Sequence, residues 1–424
     1  MAVSRRRTPA TDRILVLDGE TRTALAVTRS LGHLAVDIGV AAHAPGGLAQ
    51  RSRYVTTLFE CPDPQEAPEM YLRWLVQVVE EWKPRMLLPL TDVSLTLCLR
   101  LHDILREQTI LPTLDPACFA AIADKGQLLA VAQELGIKVP QTVLIPGGDR
   151  KTDAHDQIIR GFHYPAVLKP NTTVSDLRSH FVKGGVHYPE DAEEVASLVY
   201  GESDSALHEI DFLLQERIEG QGVGVFALCH DGEALAIFCH RRILEKPPTG
   251  GRSVLCESIP ESEAPVEQAL ALLRHFKVQG MAMVEFKQTG DGEFCLMEIN
   301  PRFWGSLQLA IDAGRDFPAM LYRLYSIGQP FPPAALEQFV QAIQPYETGR
   351  RLRWLLGTFD HFLIRLKESP SEALKATLRE NVLELWTQRH RTRLEVLRWD
   401  DRAPFFFEFR RWVADLFANT PSDY

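Results

Sequence analysis

Long apolar runs are the first thing this 424-residue chain lacks. The longest weakly charged apolar stretch, Met86 to Leu99, is broken by Pro89 and Asp92. It falls short of the ~20 residues a bilayer-spanning helix needs, so no transmembrane segment is expected. Arg5, Arg6 and Arg7 precede an apolar run, Ile14 to Leu17, that is too short for a signal-peptide core of roughly 7–15 residues. The expected location is cytoplasmic. Cysteine is sparse and unpatterned: seven residues (61, 98, 118, 229, 239, 256 and 295), odd in number and never in a C-x-x-C pair. That argues against a disulfide framework or structural zinc and for reduced, buried thiols. A basic excess is missing too. The net charge is -10, and residues 1–344 carry all of it, with 32 Lys+Arg against 44 Asp+Glu; residues 345–424 have 14 against 12. Nucleic acid is not expected as a partner, because phosphate neutralisation needs a basic face. No G-x-x-x-x-G-K-[ST] phosphate loop occurs. The first strand-to-helix turn reads LDGETRTALA, with Gly19 alone where a dinucleotide fold needs G-x-G-x-x-G, which counts against an oxidoreductase.

What is present suits a globular protein with a sizeable core: 45% hydrophobic, 24% charged and 9% aromatic residues. The length suggests about three domains at roughly 150 residues each. RILVLD (13–18), a helical pattern from Thr21 to Leu31 ended by Gly32, and the run Ala35 to Ala42 form a βαβ unit, hence a parallel sheet. Tyr71 to Trp82 has helical spacing, and Met86 to Leu90 reads as a further strand ending in Thr91-Asp92. Ligands bind at such strand ends, so Asp92 is a substrate-contact candidate, with a helix N-cap role the stronger reading. Ala117 to Gly136 reads as two helical stretches around Asp124-Lys125-Gly126, and Val143 to Ile145 as a strand before Pro146-Gly147-Gly148-Asp149. Short β-runs follow at 166–169, 212–218, 223–229, 234–242, 280–287 and 293–299; helical spacing returns after Gln329-Pro330. The expected organisation is a parallel-sheet domain over 1–115, an α+β body over 116–330 and a helical region over 331–424.

The most informative stretch is MAMVEFKQTGDGEFCLMEINPRFWGS, residues 281–306. A two-residue turn at Asp291-Gly292 places Glu285 directly opposite Glu298, and alternation puts Asn300 on the same face. Facing like charges are unfavourable in a sheet. Two carboxylates and an amide oxygen converging on one point form a hard-oxygen set that suits Mg²⁺ (or Mn²⁺) held together with substrate phosphates. The competing reading is a solvated face with a turn one residue longer, which breaks the register. Arg302, just beyond, is able to grip an oxyanion bidentately and favours the metal reading. A second hairpin turns at Asp231-Gly232. In its register His240 faces Val223 and His230 faces Glu233, so the two histidines sit at opposite ends and are read as strand residues rather than zinc ligands. Lys125 opens a helix after Asp124, and Lys169 ends YPAVLKP, where Pro170 stops the strand. Beyond it the polar loop Asn171 to Gly185, with Thr172, Thr173, Ser175 and Gly184-Gly185, offers amides for a phosphate chain or is a plain surface loop.

In order, Asp124-Lys125, YPAVLKP (164–170), FLLQERIEG (212–220), and VEF (284–286) with MEINPR (297–302) resemble the ATP-grasp superfamily, over about residues 13–330. HRRILEKPPTGGRSV (240–254) and NPRFWGSLQLAIDAG (300–314) are similar to the branch described as predicted ATP-dependent carboligases, the carboxylate-amine ligases. The resemblance implies an ATP-grasp fold, α/β and α+β, with a Rossmann-like N-terminal domain and nucleotide between two α+β subdomains. It implies ATP with Lys125 and Lys169 on the α- and β-phosphates, and with Gln215 and the backbone of Glu216 and Ile218 on the adenine edge. Glu285, Glu298 and Asn300 would hold Mg²⁺, and Arg302 would meet the transferring phosphoryl group or the acyl phosphate. Arg242 and Arg252 would contact the γ-phosphate or the carboxylate substrate, surface salt bridges being an equal account of both. Many relatives have an acidic residue for the ribose hydroxyls where this chain has Gly222, leaving Glu219 or Gln221 as candidates.

The implied reaction joins a small-molecule carboxylate to an amine through an acyl phosphate, releasing ADP and phosphate, with no Ser or Cys nucleophile. A kinase or carboxylase acting on another acceptor, and a non-catalytic ATP-binding regulator, are the alternatives on the same scaffold. A homodimer is compatible with the resemblance. For residues 331–424, with Trp354, Trp386, Trp399 and Trp412, the readings are a packed helical subdomain, a cap, a dimer interface or a dock for an acidic partner, with Phe405-Phe406-Phe407 as a partner or membrane-surface anchor.

Overall fold

The computed structural model describes residues 3–4, 12–43, 46–147, 152–176, 181–182, 185–201, 209–368, 388 and 390–418. Arg5 to Arg7, Gly148, Asp149, Gly184 and Trp386 lie outside the described residues. The first sheet contains β1 (Val3–Ser4), β2 (Arg13–Val16), β3 (Asp37–Ala42), β4 (Thr57–Glu60) and β5 (Met86–Leu88), in the order β1-β4-β3-β2-β5. Strands β2 to β5 run parallel and only β1 is antiparallel. β4 was not expected from its short, half-buried TLFE sequence. Helix α1 (Arg22–Leu31) is capped by Thr21, whose side chain accepts from the Ala24 amide. It is followed by α2 (Pro68–Trp82), α3 (Asp92–Arg100) and α4 (His102–Arg106). The strand order reverses between β2 and β5, which makes the crevice beyond their C-terminal ends the place where such sheets take ligands.

Helices α5 (Pro116–Ala123) and α6 (Lys125–Glu134) are separated at Asp124, whose carboxylate accepts from the Gln127 amide. A three-stranded antiparallel sheet follows, built from β6 (Thr142–Ile145), β7 (Ala166–Pro170) and β10 (Phe212–Glu216) in the order β6-β10-β7. It packs on α7 (Asp153–Gly161) and α8 (Ala192–Tyr200), and the two-residue strands β8 (Ser175–Asp176) and β9 (Phe181–Val182) pair nearby. The largest sheet has seven strands, β15-β14-β11-β12-β13-β16-β17. They are β11 (Gln221–His230), β12 (Glu233–Lys246), β13 (Arg252–Ile259), β14 (Gly280–Gln288), β15 (Phe294–Asn300), β16 (Arg351–Arg353) and β17 (Thr392–Leu394). One core, with Leu128, Val225, Val284 and Ile299, fills the side toward α6 and α9 (Val266–His275); another, around Phe226 and Trp304, joins the sheet to α1.

After α10 (Leu307–Asp312), α11 (Phe317–Ser326) and α12 (Pro333–Gln341), the C-terminal region supplies α13 (Leu355–Glu368) and the helix Ala403–Ala418, and it also contributes β16 and β17 to the sheet. It is bound to the N-terminal domain through buried charge. Arg29 Nε meets Asp401 Oδ2 at 2.9 Å, and Arg29 Nη1 and Nη2 donate to the Glu395 and Val396 carbonyls at 3.0 and 2.8 Å. Burial lowers the Arg29 pKa and Asp401 partly restores it. The three phenylalanines read as one anchor diverge: Phe406 is exposed, Phe405 packs on the core, and Phe407 lies beneath Arg51. Among the described residues no helix is long and apolar enough to cross a membrane.

Candidate active site

The β14–β15 hairpin brings Glu285 opposite Glu298, by a route the sequence did not reveal. The turn is not the expected two-residue one. Thr289 and Glu293 close a three-residue loop, with the Gly292 amide donating to Thr289 (2.9 Å) and the Thr289 amide to Glu293 (2.9 Å). Gly292 alone is left-handed, at φ +86°, as in a type I turn finished by a glycine bulge. Gln288 consequently faces Phe294, one residue off the expected register, until a bulge between Glu285 and Phe286 absorbs the difference at Met297. The longer turn and the bulge cancel, and the carboxylate pair survives.

The second hairpin does turn at Asp231-Gly232, both left-handed (φ +50° and +81°), and pairs His230 with Glu233. A bulge after Leu228 then places His240 opposite Gly224 rather than Val223. His240 is buried, lies 3.3 Å from the Ser306 hydroxyl and edge-on to Phe226; burial, with Arg242 adding, holds its pKa well below the usual range. Among the described residues no cluster of three His, Cys, Asp or Glu side chains forms a metal site. Cys118 is half-buried and the other six cysteines are buried thiols.

Around the carboxylate pair the charges alternate. Arg242 Nη2 donates to Glu285 Oε2 at 2.6 Å and Arg242 Nη1 to Glu245 at 2.8 Å. Asn300 Nδ2 donates to Glu298 Oε1 at 2.7 Å. Burial pushes both carboxylates toward the neutral form, with opposite outcomes. Glu285 stays raised although Arg242 opposes the shift, whereas Lys125 and Lys169 pull Glu298 below its ordinary value. Lys125 begins α6, and its Nζ reaches the Thr173 hydroxyl at 2.8 Å. Lys169 lies one residue before the end of β7 and is paired with Leu213. Burial brings its ammonium down to about 8, the carboxylates only partly compensating. Lys125 is lowered for the same reason.

On β10, Gln215 is buried and donates to the Thr142 hydroxyl at 2.8 Å. The Glu216 amide is taken by the Gln141 carbonyl (2.8 Å), and the Ile218 carbonyl accepts from Lys287 Nζ (2.7 Å). A side chain at Gly222 would meet the Arg242 methylenes at 3.0 Å, and Gln221 gives its amide to the Arg242 carbonyl at 2.9 Å. That strand position is thus occupied with holding Arg242, and Glu219 is the exposed acidic neighbour.

Arg302 departs most from expectation. Its Nε and Nη2 donate to the two oxygens of Asp92 at 2.8 and 2.7 Å, and Nη2 and Nη1 also reach Asn300 Oδ1 and the Phe303 carbonyl, both at 3.1 Å. The bidentate grip is therefore on the protein's own carboxylate. Asp92 is not the helix cap: Thr91 caps α3 in a reciprocal box with Ser94, and Asp92 is the first helical residue. Sequence reasoning missed Asp18, which sits at φ +57° after β2 and accepts from the Leu90 and Thr91 amides (2.8 and 3.0 Å) and the Thr91 hydroxyl (3.0 Å). Its own sequence context, RILVLDG, carried no signal of that role.

Glu285, Glu298, Asn300 and Arg302 line a cavity of about 920 Å³ with Arg242 and Arg252. Residues beside the first sheet and in the C-terminal region supply its other walls, including Asp92, Trp354 and Arg411. Lys125, Lys169 and Gln215 do not line it; the two lysines reach the carboxylate pair through its field.

A parallel-sheet domain, a three-stranded sheet carrying a lysine at a strand end and a long antiparallel sheet presenting paired acids and Asn-Pro-Arg together make up an ATP-grasp fold. Residues 208–344 match the family described as ATP-grasp in the biosynthetic pathway with Ter operon. In fold the chain is similar to an L-amino acid ligase from Bacillus licheniformis, at a TM-score of 0.58 and 16% identity, covering 80% of this chain and 78% of that one. It is also similar to the Hydrogenobacter thermophilus 2-oxoglutarate carboxylase biotin carboxylase domain dimer, solved with MgADP, ADP and bicarbonate, at 0.56 and 13% identity over 81% and 74% of the two chains. In sequence, 200 residues are 26% identical to the carbamoyl phosphate synthase large chain of Methanospirillum hungatei, 45% of this chain but only 18% of that protein.

Proposed function

We propose that the protein is an ATP-dependent ligase that activates a small-molecule carboxylate as an acyl phosphate and joins it to an amine, releasing ADP and phosphate. The observation that carries this reading is the Glu285–Glu298 pair with Asn300, an all-oxygen set that feels the charges of Lys125 and Lys169 and lines the cavity with Arg242 and Arg252. With two carboxylates and one amide, the set fits an ion that takes its remaining ligands from water and phosphate, as Mg²⁺ does. When bound there, Mg²⁺ supplies charge neutralisation and alignment of the phosphates.

The chain's own residues do the rest. Lys125 and Lys169, both poorly solvated and both with their pKa lowered by burial, Lys169 to about 8, meet the α- and β-phosphates. Gln215, the Glu216 carbonyl and the Ile218 amide present an edge to adenine, and Glu219 serves the ribose. The acceptor carboxylate lies in the cavity against Arg242 or Arg252; its oxygen attacks the γ-phosphorus while ADP leaves. An amine entering by the same cavity then displaces phosphate. Catalysis rests on position and preorganised charge, as in other phosphoryl transfers. The test is ADP release from ATP over a panel of carboxylic acids, each with and without amines. Turnover that requires both partners supports the ligase; release with hydroxyl acceptors or bicarbonate alone assigns a kinase or carboxylase instead.

A further inference from the structure

A guanidinium stabilises a transferring phosphoryl group best through two parallel N–H bonds. In Arg302 that pair of donors, Nε and Nη2, is already spent on Asp92, and four hydrogen bonds in all engage the group. Both side chains are largely enclosed, at 19% and 16% exposure. The contact joins two domains, since Asp92 opens α3 of the parallel-sheet domain while Arg302 follows β15.

Asp92 is also held firmly. The Thr91–Ser94 box closes the helix start beside it, and Asp18 binds the two preceding amides and the Thr91 hydroxyl. Its negative charge acts on Glu298 and Lys125 as well as on Arg302. A triphosphate arriving beside the carboxylate pair would meet an arginine already neutralised and an extra anion next to it.

We infer that Asp92 withholds Arg302 from the γ-phosphate, and that the guanidinium becomes available only when an anion, the transferring phosphoryl group or the acceptor carboxylate, takes the place of Asp92. The inference rests on the ligase reading and adds to it a residue that couples acceptor arrival to phosphoryl activation. Asp92 is a positioning residue: it acts through Arg302.

The test needs no knowledge of the acceptor. Binding of the β,γ-imido analogue of ATP and of ADP, each with Mg²⁺, is measured by titration calorimetry on the wild-type chain, Asp92→Asn, Arg302→Ala and the double variant. Asparagine keeps the shape and, as Thr91 is the cap, leaves α3 intact; Asp92→Ser, checked by thermal melting, replaces it should it not fold. Freeing the Arg302 donors for the γ-phosphate, a charge-assisted bidentate contact, is expected to tighten imido-ATP about tenfold while ADP changes less than twofold. In the Arg302→Ala background the gain should vanish. An unchanged or weaker imido-ATP affinity in Asp92→Asn, or a gain that persists without Arg302, overturns the inference while ADP binding leaves the ligase reading standing. If the wild-type chain binds neither nucleotide, the ligase reading fails and takes this inference with it.

Discussion

Nucleotide binding should draw a proton from solution at mildly alkaline pH, and Lys169 sets the amount. Burial brings its pKa to about 8, so the side chain is about nine-tenths protonated at pH 7 and about one-tenth at pH 9. A triphosphate alongside restores the charged form. If the bound-state pKa returns to its ordinary value near 10.5, binding takes up about 0.7 proton at pH 8.5 and about 0.1 at pH 7, and affinity falls about tenfold between pH 7 and 9. Lys125, lowered by the same burial, adds in the same direction. Titration calorimetry of ADP in buffers of different ionisation enthalpy reads the uptake directly, and Lys169→Met should remove most of it. Flat affinity and no proton uptake across this range would refute the assignment of Lys169 to the phosphates. Without ligand the sign reverses for folding. The unfolded chain holds this proton more tightly, so the group disfavours the native state below pH 8, and that penalty is relieved as the pH rises toward 10.5.

Three further expectations concern catalysis and the fold. Glu298→Gln, which keeps the Asn300 hydrogen bond possible but removes a charge facing Glu285, should leave the melting transition in place and lower turnover by about a hundredfold or more; ADP release by a coupled assay checks it. Asp401→Ala strips Arg29 of a buried partner and Ser52 of another at 2.8 Å, and should cost about 3–5 kcal/mol in urea denaturation. Gly280→Ala should destabilise by about 1–3 kcal/mol, because the position is left-handed (φ +82°) and a Cβ would lie 2.2 Å from the Pro112 carbonyl oxygen.

The pair at 285 and 298 could be read from the chain only because two one-residue offsets, a longer turn and a bulge, cancel. The turn itself could not, because Asp-Gly suits both a two-residue loop and the end of a three-residue one, and the compensating bulge at Met297 has no sequence mark. Lys125 and Lys169 were legible by their punctuation, an Asp cap before one and a proline after the other. The partner of Arg302 was not, since Asp92 is 210 residues away in sequence and local pattern carries nothing about such pairs. For the same reason β16 and β17, three residues each, were hidden: they are strands by virtue of the sheet edge they join.

The bonds from Arg29 to the far end of the chain bear on how the molecule can be divided. An N-terminal fragment ending before residue 390 would keep a guanidinium built for an enclosed socket and lose the four acceptors that fill it. Swapping the first domain alone between relatives would leave the same orphan, unless residues 395–401 travelled with it. Arg29 and residues 395–401 thus form one packed unit, although Arg29 and Asp401 lie 372 residues apart in sequence.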